Sequence, residues 1–486
     1  MASKSSLAEL QNWRSAAERI QQEKAVQYFR KLVGLKYDEK RLAENEKETV
    51  KHYRSFITKF GKDPEVLFNI SAIEIAYSTT YKLYLKLLDL RTTKITAKNH
   101  RVNNAPVNWG SWRQFTSSSD DSKARKEVFD TFLAKSSLLA PTIEARFRGM
   151  AQSMNAFGTD PLSNYLSLEG VEYDGLVSFV DALGREVKPA FRRSLDYYSR
   201  EILERDAKYY DDYYFFRSRI FRKYEKSFLP RVNPFAKITR TMSEMGLDPS
   251  RIRVDSADRK GKNASAFCFA IKIPADVRLS YREANPLDNF TNIFHETGHG
   301  IHFSSIEEGR LYEDKYGISS GVAETFSIFF ESLMEDQGYL TQKLGLSNDV
   351  AADLADRIRF NTRFFCVFYS ANSTMKLRYW RDSLSIDEAS DLYADLTEKY
   401  IGIRYPGEYW LLHHVLPDYH LYSPSYLIAA VRASELREAM ISKFGERFWQ
   451  EKGSGQFLLE LLRPGRSLDL TLFSRLDPRA FTKSLV

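Results

Sequence analysis

The chain has 486 residues, of which 43% are hydrophobic, and a formal net charge of +7. That length can bury one large core or a few smaller ones, and 33 Phe with 28 Tyr exclude a disordered polymer. Lys and Arg alternate with Asp and Glu throughout, so the charge reads as a solvated surface and excludes a nucleic-acid face, which needs clustered basic residues.

Residues 1–20 alternate apolar with charged side chains (Lys4, Glu9, Arg14, Glu18, Arg19) and lack the apolar core of a signal peptide. No stretch reaches the roughly 20 apolar residues that span a bilayer. A soluble, cytoplasmic protein with no membrane partner is expected. The two cysteines, Cys268 and Cys366, each sit in an aromatic segment. Two such thiols build no disulfide framework and fit a reducing compartment. Apolar residues at three- and four-residue spacing predict helices over 63–89, 122–157, 173–207 and 349–377. Leu229-Pro230 to Asn233-Pro234 marks a break. It divides an N-terminal helical domain, 1–230, from a second domain, 231–486.

Past that break the texture changes. Residues 265–273 and 277–281 are short extended runs around Pro274-Ala275-Asp276, which predicts a small hairpin. Asn285, Pro286 and Asp288 then have the residue types of a helix start, predicting a helix over 286–303. A second helix is expected from Ser319 or Ser320 to Glu335.

Residues 295–299 read His-Glu-Thr-Gly-His. On a helix, positions i and i+4 share a face, so His295 and His299 can converge on one ion. Glu296 projects beside that ion, where it can take a proton from a water. A catalytic zinc takes three protein ligands and keeps one open position. His302 is excluded as the third, because seven residues of helix carry it roughly 10 Å beyond His295. Glu324 is the better candidate. It is a carboxylate among Val322, Phe326, Phe329 and Phe330, and a buried carboxylate needs a partner such as a metal. Ser327 and Glu331 share its face and can support the ligands, and Thr291 offers a further hydroxyl.

This arrangement resembles the thimet oligopeptidase and oligoendopeptidase F family of gluzincin peptidases. The resemblance rests on His-Glu-x-Gly-His-x-x-His (295–302), Ala266-Phe267-Cys268 before it, and Ala323-Glu324 with Ser327 and Glu331 after it. Angiotensin-converting-type dipeptidases share His-Glu-x-Gly-His, and the final His separates the two. Far downstream, His414, Tyr419 and Tyr426 have the family's spacing of a His followed by two tyrosines. The family's loop at this point is often glycine-rich, whereas Val415-Leu416-Pro417-Asp418-Tyr419-His420 is not. The clear likeness covers about 262–331 and 414–426.

The resemblance implies a mainly α, two-lobed protein split by a deep substrate channel, with a small β-hairpin or sheet beside the zinc helix. It implies one Zn²⁺ per chain on His295, His299 and Glu324, with Glu296 as the base. It also implies that His414, Tyr419 and Tyr426 bind substrate and stabilise the oxyanion. The extended run 265–269 is expected to hold substrate by strand addition. The substrates implied are short unfolded peptides cut at internal bonds. An exopeptidase such as a dipeptidyl carboxypeptidase is the alternative, with Arg404 or Lys399 as the cation for a free carboxylate. A catalytically silent helical binding protein is the third reading, and intact Glu296 argues against it. Monomer and dimer are both open.

Overall fold

A computed structural model describes residues 4–95, 101–102, 105–225, 232–263, 265–282, 286–413, 415–473 and 476–485. Helices build nearly all of it, and the protein is mainly α with a small sheet. The periodic stretch 63–89 forms two helices, Glu65–Thr79 and Tyr81–Leu90, which meet at Thr80. The stretch 122–157 is likewise divided into Ser122–Ser136 and Ala140–Asn155. Pro141 sits in the first turn of the second helix, where its missing N–H costs nothing. The long helices Tyr173–Leu203 and Asn348–Arg381 lie against each other, with Phe191 stacked on Phe360 at 5.7 Å.

The main core runs from Met150 and Leu183 through Phe294, Phe330 and Phe360 to Trp410 and Met440. Burying one such side chain is worth about 1.5–3 kcal/mol, so this core dominates the stability of the fold. A satellite of Trp13, Tyr53, Phe56 and Tyr312 packs under the N-terminal helices Lys4–Leu32 and Glu39–Phe60. Of the break at 229–234, residues 229–231 lie outside the described residues. Its far end opens the helix Pro234–Met245, where the Asn233 side chain accepts the Ala236 N–H at 3.0 Å.

The predicted hairpin is present as strands Phe267–Lys272 and Asp276–Ser280, antiparallel, with Cys268 opposite Leu279. A third strand, Ile252–Asp255, pairs parallel to Asp276–Ser280 and was not predicted. The order is 252–255, 276–280, 267–272, so the 267–272 strand is an edge. Ile252, Leu279 and Tyr281 pack with Ile293, which fixes the sheet against the helix bearing the His pair. Among the described residues no helix is long and apolar enough to cross a membrane.

Candidate metal centre

Two crossed helices assemble the centre. Helix Pro286–Ser305 turns Phe290, Ile293, Phe294 and Ile301 into the core. His295 and His299 stay half-buried on the other side, their ring centres 5.0 Å apart. The second helix, Ser320–Glu331, is capped by Ser319, whose hydroxyl accepts the Val322 N–H at 3.3 Å. It gives way to a tighter turn, Ser332–Glu335, where a continuous helix was expected. The crossing is close because of Gly298. A Cβ there would stand 2.6 Å from the Ser327 Cα and 2.8 Å from the Phe326 carbonyl oxygen, both backbone atoms. Only glycine lets the helices approach this far.

That approach brings Glu324, 3% exposed, to the His pair. Its Oε2 lies 3.1 Å from His295 Nε2 and 3.5 Å from His299 Nε2. One donor atom from each of the three residues lies within 4.8 Å of the others. Two donors each about 2.1 Å from one tetrahedral ion would lie about 3.4 Å apart, so this set fits a single zinc ion. The electrostatics agree. Burial pulls the His295 imidazole down, but hydrogen bonds to Glu324 and Glu331 outweigh it and hold its pKa well above the ordinary value. Burial pushes Glu324 up, but His299 and His295 hold it well below the usual carboxylate range. The pocket demands positive charge, which an ion or a proton supplies. His302 takes no part: its ring packs on Phe326 at 4.6 Å and is fully buried. Burial, then the charge of His299, pushes it down to about 3.

Each candidate group is held from behind. The Ser327 hydroxyl donates to Glu324 Oε2 at 3.1 Å. Glu331 Oε2 meets His295 Nδ1 at 2.9 Å, which fixes the ring so that Nε2 faces the centre. The Cys268 backbone N–H donates to Glu296 Oε2 at 2.6 Å. The edge strand thus fixes one oxygen of this carboxylate.

His414 lies outside the described residues. Tyr419 is 44% exposed, and Tyr426 is half-buried. Between them stands Tyr422, which the sequence reading passed over. Its hydroxyl donates to Glu324 Oε1 at 2.6 Å, and its ring lies 5.2 Å from Tyr419 and 5.1 Å from Tyr426. Burial, then Glu324, raises the pKa of Tyr422 and of Tyr426 well above that of a free phenol, so both are donors at neutral pH.

The segment leading to Tyr419 is not glycine-rich, and cations grip it. Arg113 donates to the Leu412 carbonyl at 2.6 Å, Lys376 to Leu416 at 3.1 Å and Arg146 to Asp418 at 2.6 Å. Arg91 holds the Asp418 carboxylate with two bonds, 2.6 and 3.1 Å. Arg91 and Arg113 both lie over the Trp109 ring, at 5.2 and 4.8 Å. The Tyr77 hydroxyl and His420 Nδ1 are hydrogen-bonded at 2.8 Å.

Sequence spacing gave no sign of Glu169, at the end of helix Pro161–Glu169. Buried, it accepts the Gly321 N–H and the Ser425 hydroxyl, the latter at 2.8 Å. It therefore ties the start of the Glu324 helix to the helix Ser423–Phe444, which carries Tyr426. Arg404 is exposed and paired with Asp395 at 2.6 Å and Glu398 at 3.0 Å, and Lys399 is paired with Asp181 at 2.7 Å. Both cations have acidic partners at the surface.

No family model matches the chain, and no curated protein matches it by sequence. Solved structures do match. PZ peptidase A, solved with an inhibitor, is 14% identical, with a TM-score of 0.63 over 94% of this chain and 84% of that one. BsuCP is 15% identical, with a TM-score of 0.64 over 98% of this chain and 97% of that one. The chain has the fold of PZ peptidase A and of BsuCP along almost its whole length.

Proposed function

We propose that the protein is a zinc-dependent oligopeptidase that hydrolyses internal bonds of short unfolded peptides. The observation that carries this reading is the convergence of His295, His299 and Glu324 beside a carboxylate, Glu296, that is fixed by a backbone amide. The fold shared with PZ peptidase A supports it. Zinc, when bound, supplies Lewis acidity that makes water nucleophilic at neutral pH and polarises a carbonyl.

The chain's own groups do the rest. Glu296 keeps Oε2 on the Cys268 N–H, so Oε1 is the oxygen that takes the proton of the attacking water and delivers it to the leaving amine. Tyr422 occupies Glu324 Oε1, which leaves Oε2 facing the two imidazoles. Tyr426 and Tyr419 donate to the oxyanion as it forms, and His414 orients the peptide. Peptides enter as extended chains along the 267–272 edge strand, where main-chain bonds give affinity without demanding a sequence.

The test is a metal assay followed by digestion of a ladder of quenched, end-blocked peptides with wild type and Glu296→Gln. The expected result is about one zinc per chain, internal cuts by wild type, and a loss of several orders of magnitude in the variant. A wild type that binds no metal, or a variant that cuts as fast, would sink the reading.

A further inference from the structure

Under the segment that leads to Tyr419, three basic side chains meet with no carboxylate turned towards them. Lys376 and Arg146 are 1% and 4% exposed. They bond to successive carbonyls of one stretch, Lys376 to Leu416 at 3.1 Å, and Arg146 to Pro417 at 3.3 Å and Asp418 at 2.6 Å. Lys376 Nζ lies 4.0 Å from the ring centre of Phe147, the neighbour of Arg146. His420 completes the group and is also buried. Its Nδ1 bonds the Tyr77 hydroxyl at 2.8 Å, and the Arg146 guanidinium carbon lies 5.7 Å from the centre of that Tyr77 ring. The Trp380 indole N–H donates to the His420 carbonyl at 2.8 Å, and Lys376 Nζ lies 5.9 Å from the Trp380 ring centre.

A buried charge without a partner is costly. The acid nearest in the chain, Asp418, spends both carboxylate oxygens on Arg91. Among the described residues the bonds of Lys376 and Arg146 go to carbonyls and not to acids. Burial, then the charge of Arg146, therefore pushes the Lys376 amine well below its ordinary value. A negative charge beside it would oppose that shift. Hydrogen-bonding capacity is also left over. Arg146 Nε, His420 Nε2 and both amide atoms of Asn372 are buried and make no hydrogen bond among the described residues. The Tyr77 oxygen accepts the His420 main-chain N–H, so its hydroxyl proton goes to Nδ1 and the ring's own proton sits on Nε2. Asn372 stands one turn before Lys376 on the same face of helix 348–381. Helical side chains lean towards the N-terminus, so the lysine stem runs back over Asn372.

We propose that Lys376, Arg146, His420 and Asn372 bind one small monovalent anion of the halide type, with chloride the natural occupant, and that this ion fastens the 416–420 segment from below. The donors come from three separate parts of the chain, helices 140–155 and 348–381 and the segment itself, which suits a spherical ion. Their burial excludes a peptide carboxylate, which would bring its chain with it. The ion supplies the negative charge that the surrounding residues withhold, and it restores the proton to Lys376. The site is separate from the metal centre and does not depend on the peptidase reading.

The protein is freed of halide by dialysis into gluconate, an anion too bulky for these buried groups. It is then titrated with chloride at constant ionic strength while thermal unfolding is followed. The wild-type midpoint is expected to rise with the logarithm of chloride concentration above about 1 mM. Lys376→Met removes a donor, and Asn372→Asp puts a fixed negative charge in the ion's place. Both should abolish the rise. Asn372→Asp preserves shape, so it decides the matter even if Lys376→Met does not fold. Crystals soaked in bromide should show one anomalous peak within hydrogen-bond reach of Lys376 Nζ and His420 Nε2. A wild-type midpoint indifferent to chloride, an equal rise in wild type and Asn372→Asp, or bromide found only at the protein surface would each overturn the proposal. None of these readouts uses peptide hydrolysis, so a failure here is distinct from a failure of the proposed function.

Discussion

The Glu169 carboxylate accepts the Gly321 backbone N–H with both oxygens, at 2.9 and 3.2 Å. A Cβ on Gly321 would stand 2.6 Å from Glu169 Oε2, so the residue at 321 must be small for the bond to form. The negative charge also lies at the N-terminal end of the 320–331 helix, where the macrodipole favours it. Glu169→Ala should lower stability by about 1–3 kcal/mol, because it leaves a buried N–H and a buried hydroxyl without their acceptor. It should also weaken zinc, because the first turn of the helix holds Glu324. Glu169→Gln should retain most of both. Denaturant unfolding and a chelator competition measure the two effects, and equal behaviour of Ala and Gln would contradict this account.

Gly298→Ala places a methyl group against the Ser327 backbone, which has no flexible end to move aside. Overpacking of this kind costs about 1–3 kcal/mol. The helices must separate, and Glu324 moves with its helix. The expected outcome is a folded protein with well under one zinc per chain. Full zinc occupancy in this variant would show that the crossing is not what places the third donor.

Tyr422→Phe and Tyr426→Phe should fail in different ways. The first frees Glu324 Oε1 and is expected to weaken zinc by about 10- to 100-fold, with kcat recovered at saturating metal. The second leaves the ligands held and should cost about 10²–10³ in kcat with zinc unchanged. Metal titration and steady-state kinetics on both variants distinguish a ligand holder from an oxyanion donor.

His420 predicts a pH effect on stability. Burial, then the charges of Lys376 and Arg146, pushes its pKa down from 6.5 to about 3. The folded imidazole stays neutral while the unfolded one takes a proton near pH 6.5. Its contribution is therefore complete above pH 6.5 and is lost as pH falls from 6.5 towards 3, at about 1.4 kcal/mol per unit. Stability should drop by about 2 kcal/mol between pH 6.5 and 5 from this residue. Unfolding of wild type and His420→Gln across that range checks it, and equal slopes would reject it.

What was legible in the sequence was what is local. His295, Glu296 and His299 lie within two turns, so helical geometry alone places them. Glu324, Ser327 and Glu331 follow the same rule on the next helix. Tyr422 escaped because it stands at the N-cap of helix 423–444 with φ −151° and ψ −38°, where helical spacing no longer says which way a side chain points. The strand 252–255 has only four residues and pairs parallel with a strand reached through the intervening hairpin. No short-range pattern marks such a strand. Glu169 acts through Gly321 and Ser425, both distant in sequence, and a lone Glu carries no signal of where it will be buried. The helix break before Ala140 did have a signal in Pro141, which the periodicity masked.

The grip on the segment before Tyr419 has a thermal consequence. Arg91 and Arg113 hold Asp418 and Leu412 while sharing one indole, and Lys376 and Arg146 fasten the carbonyls between. These bonds fasten the chain at Leu412, Leu416 and Asp418, just before Tyr419. An enzyme whose tyrosine loop closes on each substrate carries that ordering in its activation entropy. Here the loop's share of that entropy should be small, and Arg91→Met, which loosens the clamp, should make the activation entropy from an Eyring plot of kcat more negative than in wild type.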